Sequence, residues 1–187
     1  GYELARAARD MGANVTLVSG PSNLAVPMGV ECIRIQSAQD MFEVISSKQN
    51  EMDFIIKSAA VGDYRVKEMA SEKIKKKGDT LTLELVKNPD ILAYLGAHKP
   101  KHQIICGFAM ETQDLIANAT EKLVKKNCDM IVANNLRTEG AGFGTDTNVV
   151  TFIHPDHIDT LEQMSKYELG RKILHTLLQK QERILEC

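Results

Sequence analysis

A chain of 187 residues is long enough to bury one hydrophobic core, and a single domain is the expectation. With 43% hydrophobic and 26% charged residues, a net charge of −2, 5% aromatics and no tryptophan, it has a soluble protein's composition and lacks the basic field and stacking platforms that nucleic-acid binding needs. Nothing resembles a signal peptide, the apolar runs are too short to span a bilayer, and Cys32, Cys106, Cys128 and Cys187 form no Cys-x-x-Cys pair, which points to reduced thiols and a cytoplasmic location.

The chain opens on a helix whose face carries Leu4, Ala7, Ala8 and Met11 and which Gly12 ends. No strand or phosphate-binding turn precedes it, so the segment that normally starts a doubly wound fold is expected ahead of Gly1. Val15-Thr16-Leu17-Val18 and Glu31-Cys32-Ile33-Arg34-Ile35 read as strands, and Ala38–Lys48 as a helix turning Met41, Val44 and Ile45 inward. Phe54-Ile55-Ile56 runs into Ser58-Ala59-Ala60, an almost uniformly apolar stretch that predicts a strand at the sheet centre.

After Ala60 the rhythm breaks. Residues 61–80 are charged and aperiodic, as in an exposed flap, and Leu81–Val86 alternates as a half-exposed antiparallel strand would. The parallel pattern resumes with a helix from Pro89 to Ala97, a strand over Gln103–Phe108, a helix over Thr112–Lys126 and a strand over Met130–Ala133. A glycine-rich loop through Gly144, a strand over Val149–Ile153 and a helix over Lys166–Arg183 follow, the last burying Leu169, Ile173, Leu174, Leu177 and Leu178. The sum is an α/β, Rossmann-like three-layer fold with a mostly parallel sheet and an antiparallel excursion over residues 61–87.

Ligands of such sheets bind beyond the carboxyl ends of the strands. Ser19-Gly20-Pro21, Ala59–Arg65, Phe108–Thr112 and Asn134-Asn135 all follow strands. Singly, each is a turn or a cap; it is their agreement on one sheet edge that suggests a site. The small pair Ala59-Ala60 permits close approach of a ligand, and Asp63 is placed to accept from hydroxyl or base donors or to reach a metal through water. Lys73, Lys75, Lys76 and Lys77 read either as a solvated face or as charges closing over polyphosphate. Asn88-Pro89-Asp90-Ile91 starts a helix, whose free N–H groups favour an anion, although Asn88 also suits a plain N-cap. Lys122 and Lys126 share a helix face near its C-terminus, where cations also answer the helix dipole.

Other chemistries lack their signatures. There is no phosphate-loop motif and no Gly-x-Gly-x-x-Gly fingerprint; Gly140-Ala141-Gly142-Phe143-Gly144 precedes no helix. His154 and His157 have a loosely metal-like spacing beside Pro155, but without a cysteine or carboxylate cluster the pattern assigns no protein metal ligand. No Ser/His/Asp or Cys/His arrangement supports a protein nucleophile.

Taken in order, Ala59–Arg65, Lys73–Lys76, Asn88–Ile91, Gly107–Thr112, Lys122–Asn127, Asp129–Asn134, Gly142–Val149 and Lys166–Gly170 resemble phosphopantothenate–cysteine ligase across essentially the whole chain. The resemblance implies one ligase domain over residues 1–187, without its N-terminal strand and glycine-rich turn. It implies an amide-forming reaction of coenzyme A biosynthesis: the carboxylate of 4′-phosphopantothenate attacks the α-phosphate of CTP, pyrophosphate leaves, and the amine of L-cysteine displaces CMP. Residue by residue, it assigns nucleotide contacts to Asp63, Lys73, Asn88, Pro89, Asp90, Ile91, Phe108, Lys122 and Lys126, beside the close-approach pair Ala59 and Ala60, and gives Lys73 a catalytic place on a mobile flap. Magnesium with the CTP, a homodimer using the Leu81–Val86 strand, and an upstream flavin-dependent decarboxylase domain are implied as well; no flavin is expected in these residues. CTP against ATP stays open, as do a nicotinamide-dependent reductase and a nucleotide-sensing domain without catalysis.

Overall fold

The structure, a computed structural model, describes residues 1–75, 78–111, 113–135 and 147–185, with the side chains at 111, 135, 184 and 185 left aside. Lys76 and Lys77 of the cationic run, Thr112, the Gly140–Gly144 string and Cys187 lie outside the described residues, as do the side chains of Glu111 and Asn135.

Helix α1 (Tyr2–Asp10) buries Ala5, Ala7 and Ala8 and ends at Met11, after which Gly12 turns the chain at φ 88°. Strands β1 (Thr16–Ser19) and β2 (Glu31–Arg34) pair in parallel as a sheet of their own. Helix α2 (Ala38–Lys48) begins where it does because Ser37 and Asp40 form a capping box, each side chain accepting from the other's backbone N–H.

The main sheet has five strands: β3 (Phe54–Lys57), β6 (Ile104–Glu111), β7 (Met130–Asn135), β9 (Val150–Ile153) and β10 (Ile158–Thr160), in the order β10-β9-β7-β6-β3. Strands β3, β6 and β7 run parallel; β9 is antiparallel to β7, and β10 to β9. Two short antiparallel pairs lie outside it: β4 (Tyr64–Val66) with β5 (Leu85–Lys87), and β8 (Thr147–Asn148) with β11 (Met164–Ser165). Helices α3 (Ile91–Ala97) and α4 (Leu115–Lys125) join α2 over one face, against Ile105, Ala109, Ile131, Ala133 and Ile153. Helix α5 (Lys166–Leu185) covers the other with Leu169, Ile173 and Leu177, against Ile104, Cys106, Met130, Val132 and Phe152. Successive residues of β6 and β7 thus serve two cores, which is why Ile104–Met110 and Met130–Ala133 carry no charged or strongly polar side chain.

Several expectations need correcting. The stretch ending in Ser58-Ala59-Ala60 is not a central strand: β3 stops at Lys57 and lies at the edge of its sheet, half-exposed along its length. An unbroken apolar run reports that both faces of a strand are covered, not that both its edges are paired. Residues 81–84 precede β5 without joining it. Pro89 stands ahead of α3, whose N-cap is Asp90. Leu178 is 39% exposed, because only the i, i+4 stripe of Leu169, Ile173 and Leu177 faces the sheet. Strands β10 and β11 carry too few apolar residues for periodicity to reveal them.

Burial pushes the Cys128 thiol up to about 12, with the charge of Asp129 adding to it, and raises Cys106 well above the ordinary thiol range. Both are structural thiols rather than nucleophiles. No helix among the described residues is long and apolar enough to cross a membrane.

Candidate active site

The carboxyl ends of β3 and β6, the turn between β3 and β4, the end of β5, the start of α3 and one face of α4 enclose a cleft of about 540 Å³. Each wall is held by identifiable contacts. The Asn88 Nδ2 donates to the Gly62 carbonyl at 2.8 Å, and its backbone N–H donates to the Asp63 carbonyl at 2.8 Å. Arg65 reaches across from β4 to donate to the Lys87 carbonyl at 2.6 Å. The segment from Gly62 to Arg65 is thereby stapled to the chain entering α3, which sets Asp63 and Tyr64 at the rim.

Four lysines, Lys57, Lys87, Lys122 and Lys126, line the cleft against two carboxylates, Asp63 and Asp90. Lys57, the last residue of β3, donates to the Ala59 carbonyl at 3.0 Å; burial lowers its pKa, and the charge of Lys122 adds to the effect while Asp90 opposes it. Lys122 extends from α4 back to β6 and donates to the Phe108 carbonyl at 2.7 Å. Lys126 is bound to Asp90. Burial raises the Asp90 pKa, but Lys126 and the Ala93 N–H outweigh it and hold the carboxyl below its usual range. One carboxylate is thus spent on a lysine, so the remaining charge of the cleft is positive, and the partially desolvated Lys57 strengthens its field. Among the described residues, no cysteine, serine or histidine lines the cleft.

Of the residues singled out by sequence, Asp63, Asn88, Pro89, Asp90, Ile91, Phe108, Lys122 and Lys126 come together here. Ala59 and Ala60 do not line the cleft; they are exposed on the turn after β3, and Ala59 contributes only its carbonyl to holding Lys57. Lys73 is also exposed and outside the lining, on the segment joining β4 to β5. The expected anion seat at the start of α3 is occupied from within, since the Asp90 side chain accepts from the Ala93 N–H at 3.0 Å. Lys57 and Lys87 are cleft residues that the sequence reading passed over, and Tyr64 lines the cleft from within the Ala59–Arg65 stretch. A lysine closing an apolar strand at the carboxyl edge of the sheet is the signal that finds Lys57. A depression of about 550 Å³ elsewhere is lined by α5 alone, through residues such as Glu168, Arg171 and His175, and is a helix-surface groove.

The position of Lys126 depends on Gly96. Helix α4 ends on Asn127 in the left-handed region (φ 49°), whose Nδ2 donates to the Gly96 carbonyl at 2.8 Å. A Cβ on Gly96 would run into the Lys126 carbonyl oxygen and lie 2.9 Å from its carbon, both of them backbone atoms. Gly96→Ala is therefore expected to cost about 1–3 kcal/mol or more and to loosen the Lys126–Asp90 contact. Urea unfolding checks the first effect; an unchanged midpoint would show that the two helices separate freely.

The sequence matches the family model of the DNA/pantothenate metabolism flavoprotein C-terminal domain over residues 1–180. It is 46% identical over 179 residues to the coenzyme A biosynthesis bifunctional protein CoaBC of Vibrio parahaemolyticus serotype O3:K6 (strain RIMD 2210633), covering 95% of this chain and 45% of that protein. It is 47% identical over 179 residues to the protein of the same name from Bacillus subtilis (strain 168), covering 95% and 44%. The chain therefore spans less than half the length of these relatives. Among solved structures, the crystal structure of the C-terminal domain of a coenzyme A biosynthesis bifunctional protein CoaBC is 36% identical, with a TM-score of 0.80 over 100% of this chain and 83% of that one.

Proposed function

The chain belongs to the DNA/pantothenate metabolism flavoprotein C-terminal domain family, and we propose on that basis that its cleft is the nucleotide half of a phosphopantothenate–cysteine ligase site. The observation that carries the reading is the cleft's charge: four lysines against one carboxylate left after Asp90 is bound, with no cysteine, serine or histidine among the described lining residues. Nucleotidyl transfer to a carboxylate needs the reactants oriented and the phosphate charge neutralised, and needs no covalent help from the protein.

In this reading CTP places its phosphates among Lys57, Lys122 and Lys126, and its base and ribose against Asp63, Phe108 and the Asn88–Ile91 turn. The carboxylate of 4′-phosphopantothenate attacks the α-phosphate and pyrophosphate leaves. The amine of L-cysteine then attacks the acyl carbon, forming the amide and releasing CMP. Lys73 joins the site when the segment between β4 and β5 closes over the cleft. Magnesium fits as a companion of the triphosphate: such ions need only one or two carboxylates besides phosphate oxygens and water, and Asp63 is the lining carboxylate not bound by Lys126.

Pyrophosphate release by the full-length protein tests the reading, with phosphopantothenate and either CTP or ATP, with and without cysteine. Release that requires phosphopantothenate and is faster with CTP is expected; absence of release with either nucleotide would sink it.

We also propose a homodimer formed through the edge that leads into β5. Leu81, Leu83 and Leu85 alternate along it and are 66%, 52% and 55% exposed, an exposed apolar row on the segment that enters β5. Leu83→Asp is expected to halve the mass measured by light scattering. A mass unchanged from the wild type would place the contact elsewhere.

A further inference from the structure

The cleft already holds an anion of its own. Asp90 is the N-cap of α3, and its two carboxylate oxygens have separate partners: Oδ1 accepts from the Ala93 N–H at 3.0 Å, and Oδ2 takes the Lys126 ammonium. The first contact fixes the carboxylate on the helix, which leaves the second oxygen turned to the lysine. Lys126 is the C-cap of α4, and Asn127 beside it is tied to the Gly96 carbonyl of α3. Backbone anchors on both helices therefore bring the pair together without a ligand.

The two partners are unequally sheltered. The Lys126 side chain is 17% exposed and that of Asp90 is 54% exposed. A carboxylate so exposed is rehydrated at little cost when its partner is taken, whereas a sheltered ammonium needs a replacement anion. Of the four lining lysines, Lys126 alone is paired with a carboxylate among the described residues. Lys57 and Lys122 are held by the carbonyls of Ala59 and Phe108, which leave their charge uncancelled. Burial acts to raise the Asp90 pKa, but the Lys126 and Ala93 contacts outweigh it, so the carboxylate is ionised and the pair intact at neutral pH.

We propose that Asp90 is an internal stand-in for ligand phosphate: in the empty cleft its carboxylate holds the Lys126 ammonium, an entering triphosphate takes Lys126 from it, and its return helps pyrophosphate to leave. The inference rests on the nucleotide reading of the cleft and names the residue that limits how tightly phosphate is held there. The charge on Asp90 opposes any anion at Lys126 twice over. A phosphate oxygen must first displace the carboxylate, and afterwards it lies near a like charge. Without this opposition the same lysines would hold phosphate more tightly and release it more slowly.

Calorimetric titration of the full-length protein with CTP and, separately, with inorganic pyrophosphate tests the proposal. Asp90→Asn keeps a good N-cap, since asparagine and aspartate cap about equally well, and removes only the charge. It is expected to bind both anions roughly three- to tenfold more tightly than wild type and to unfold at the same urea concentration. Asp90→Ala is expected to tighten binding as much while unfolding at lower urea, because it loses the cap as well. Removal of a merely structural residue or of a direct ligand contact would weaken binding, so the sign of the change decides. Asp90→Asn that binds CTP and pyrophosphate no more tightly than wild type overturns the proposal, and leaves the ligase reading standing as long as CTP binds. Tighter pyrophosphate binding by Asp90→Asn, with neither CTP nor ATP bound by either protein, would uphold the stand-in and sink the ligase reading.

Discussion

Lys122→Met is expected to slow phosphopantothenate-dependent pyrophosphate release by about 10²–10³-fold, the scale at which removal of one preorganised electrostatic contact acts in other enzymes. Methionine keeps most of the side chain's length and apolar packing and deletes only the charge and the donor. The Lys122 Nζ is fixed by the Phe108 carbonyl at 2.7 Å, and it adds to the positive field on Lys57. An ammonium held in that way pays no reorganisation cost when charge develops on a phosphate being transferred, so its loss should fall mainly on kcat rather than on KM. The structural cost is one hydrogen bond, about 1 kcal/mol. A small loss of stability with a large loss of kcat is therefore the signature sought. Turnover that falls only as far as the folded fraction does would make Lys122 a fastening between α4 and β6 and nothing more.

The halves of this molecule differed in how far they were open to reading. Strands β6 and β7 and helices α2 and α5 declare themselves because each buries a stripe or two faces, and burial leaves a period in the sequence. The excursion over residues 61–87 was legible as antiparallel but not in its bounds, since β4 and β5 hold together through Asn88, Arg65 and backbone contacts rather than through buried side chains. The cleft was found through residues that follow strands or face them, such as Asp63, Phe108 and Lys122. Lys57 escaped because a single charge at the end of an apolar strand looks like a solvated terminus, and its burial depends on where α3 and α4 pack. The spacing of His154 and His157 was legible, but the face-to-face stacking of their rings comes from the β9–β10 turn, which no local pattern specifies.

Stability should depend most steeply on Asp129, at the sheet edge opposite the cleft. Its carboxylate, 10% exposed, accepts from the Lys99 Nζ through both oxygens at 2.8 Å, and Lys99 is itself only 17% exposed. Oδ2 accepts in addition from the Ile105 N–H at 2.7 Å, while the Asp129 N–H donates to the Ile105 carbonyl at 2.8 Å. One residue thus joins the turn after α3 to the starts of β6 and β7. Asp129→Ala would strand a largely buried ammonium and a buried N–H together, which is expected to cost about 3–5 kcal/mol. Asp129→Asn keeps an acceptor for Ile105 and should cost less. If the penalty of the alanine variant comes from the stranded charge, adding Lys99→Met should recover part of it, because an apolar pair removes the unpaired ammonium. Urea unfolding of the two single variants and the double variant measures the coupling. Additive losses would mean that Lys99 finds water once its partner is gone, and that the backbone bond to Ile105 carries the cost.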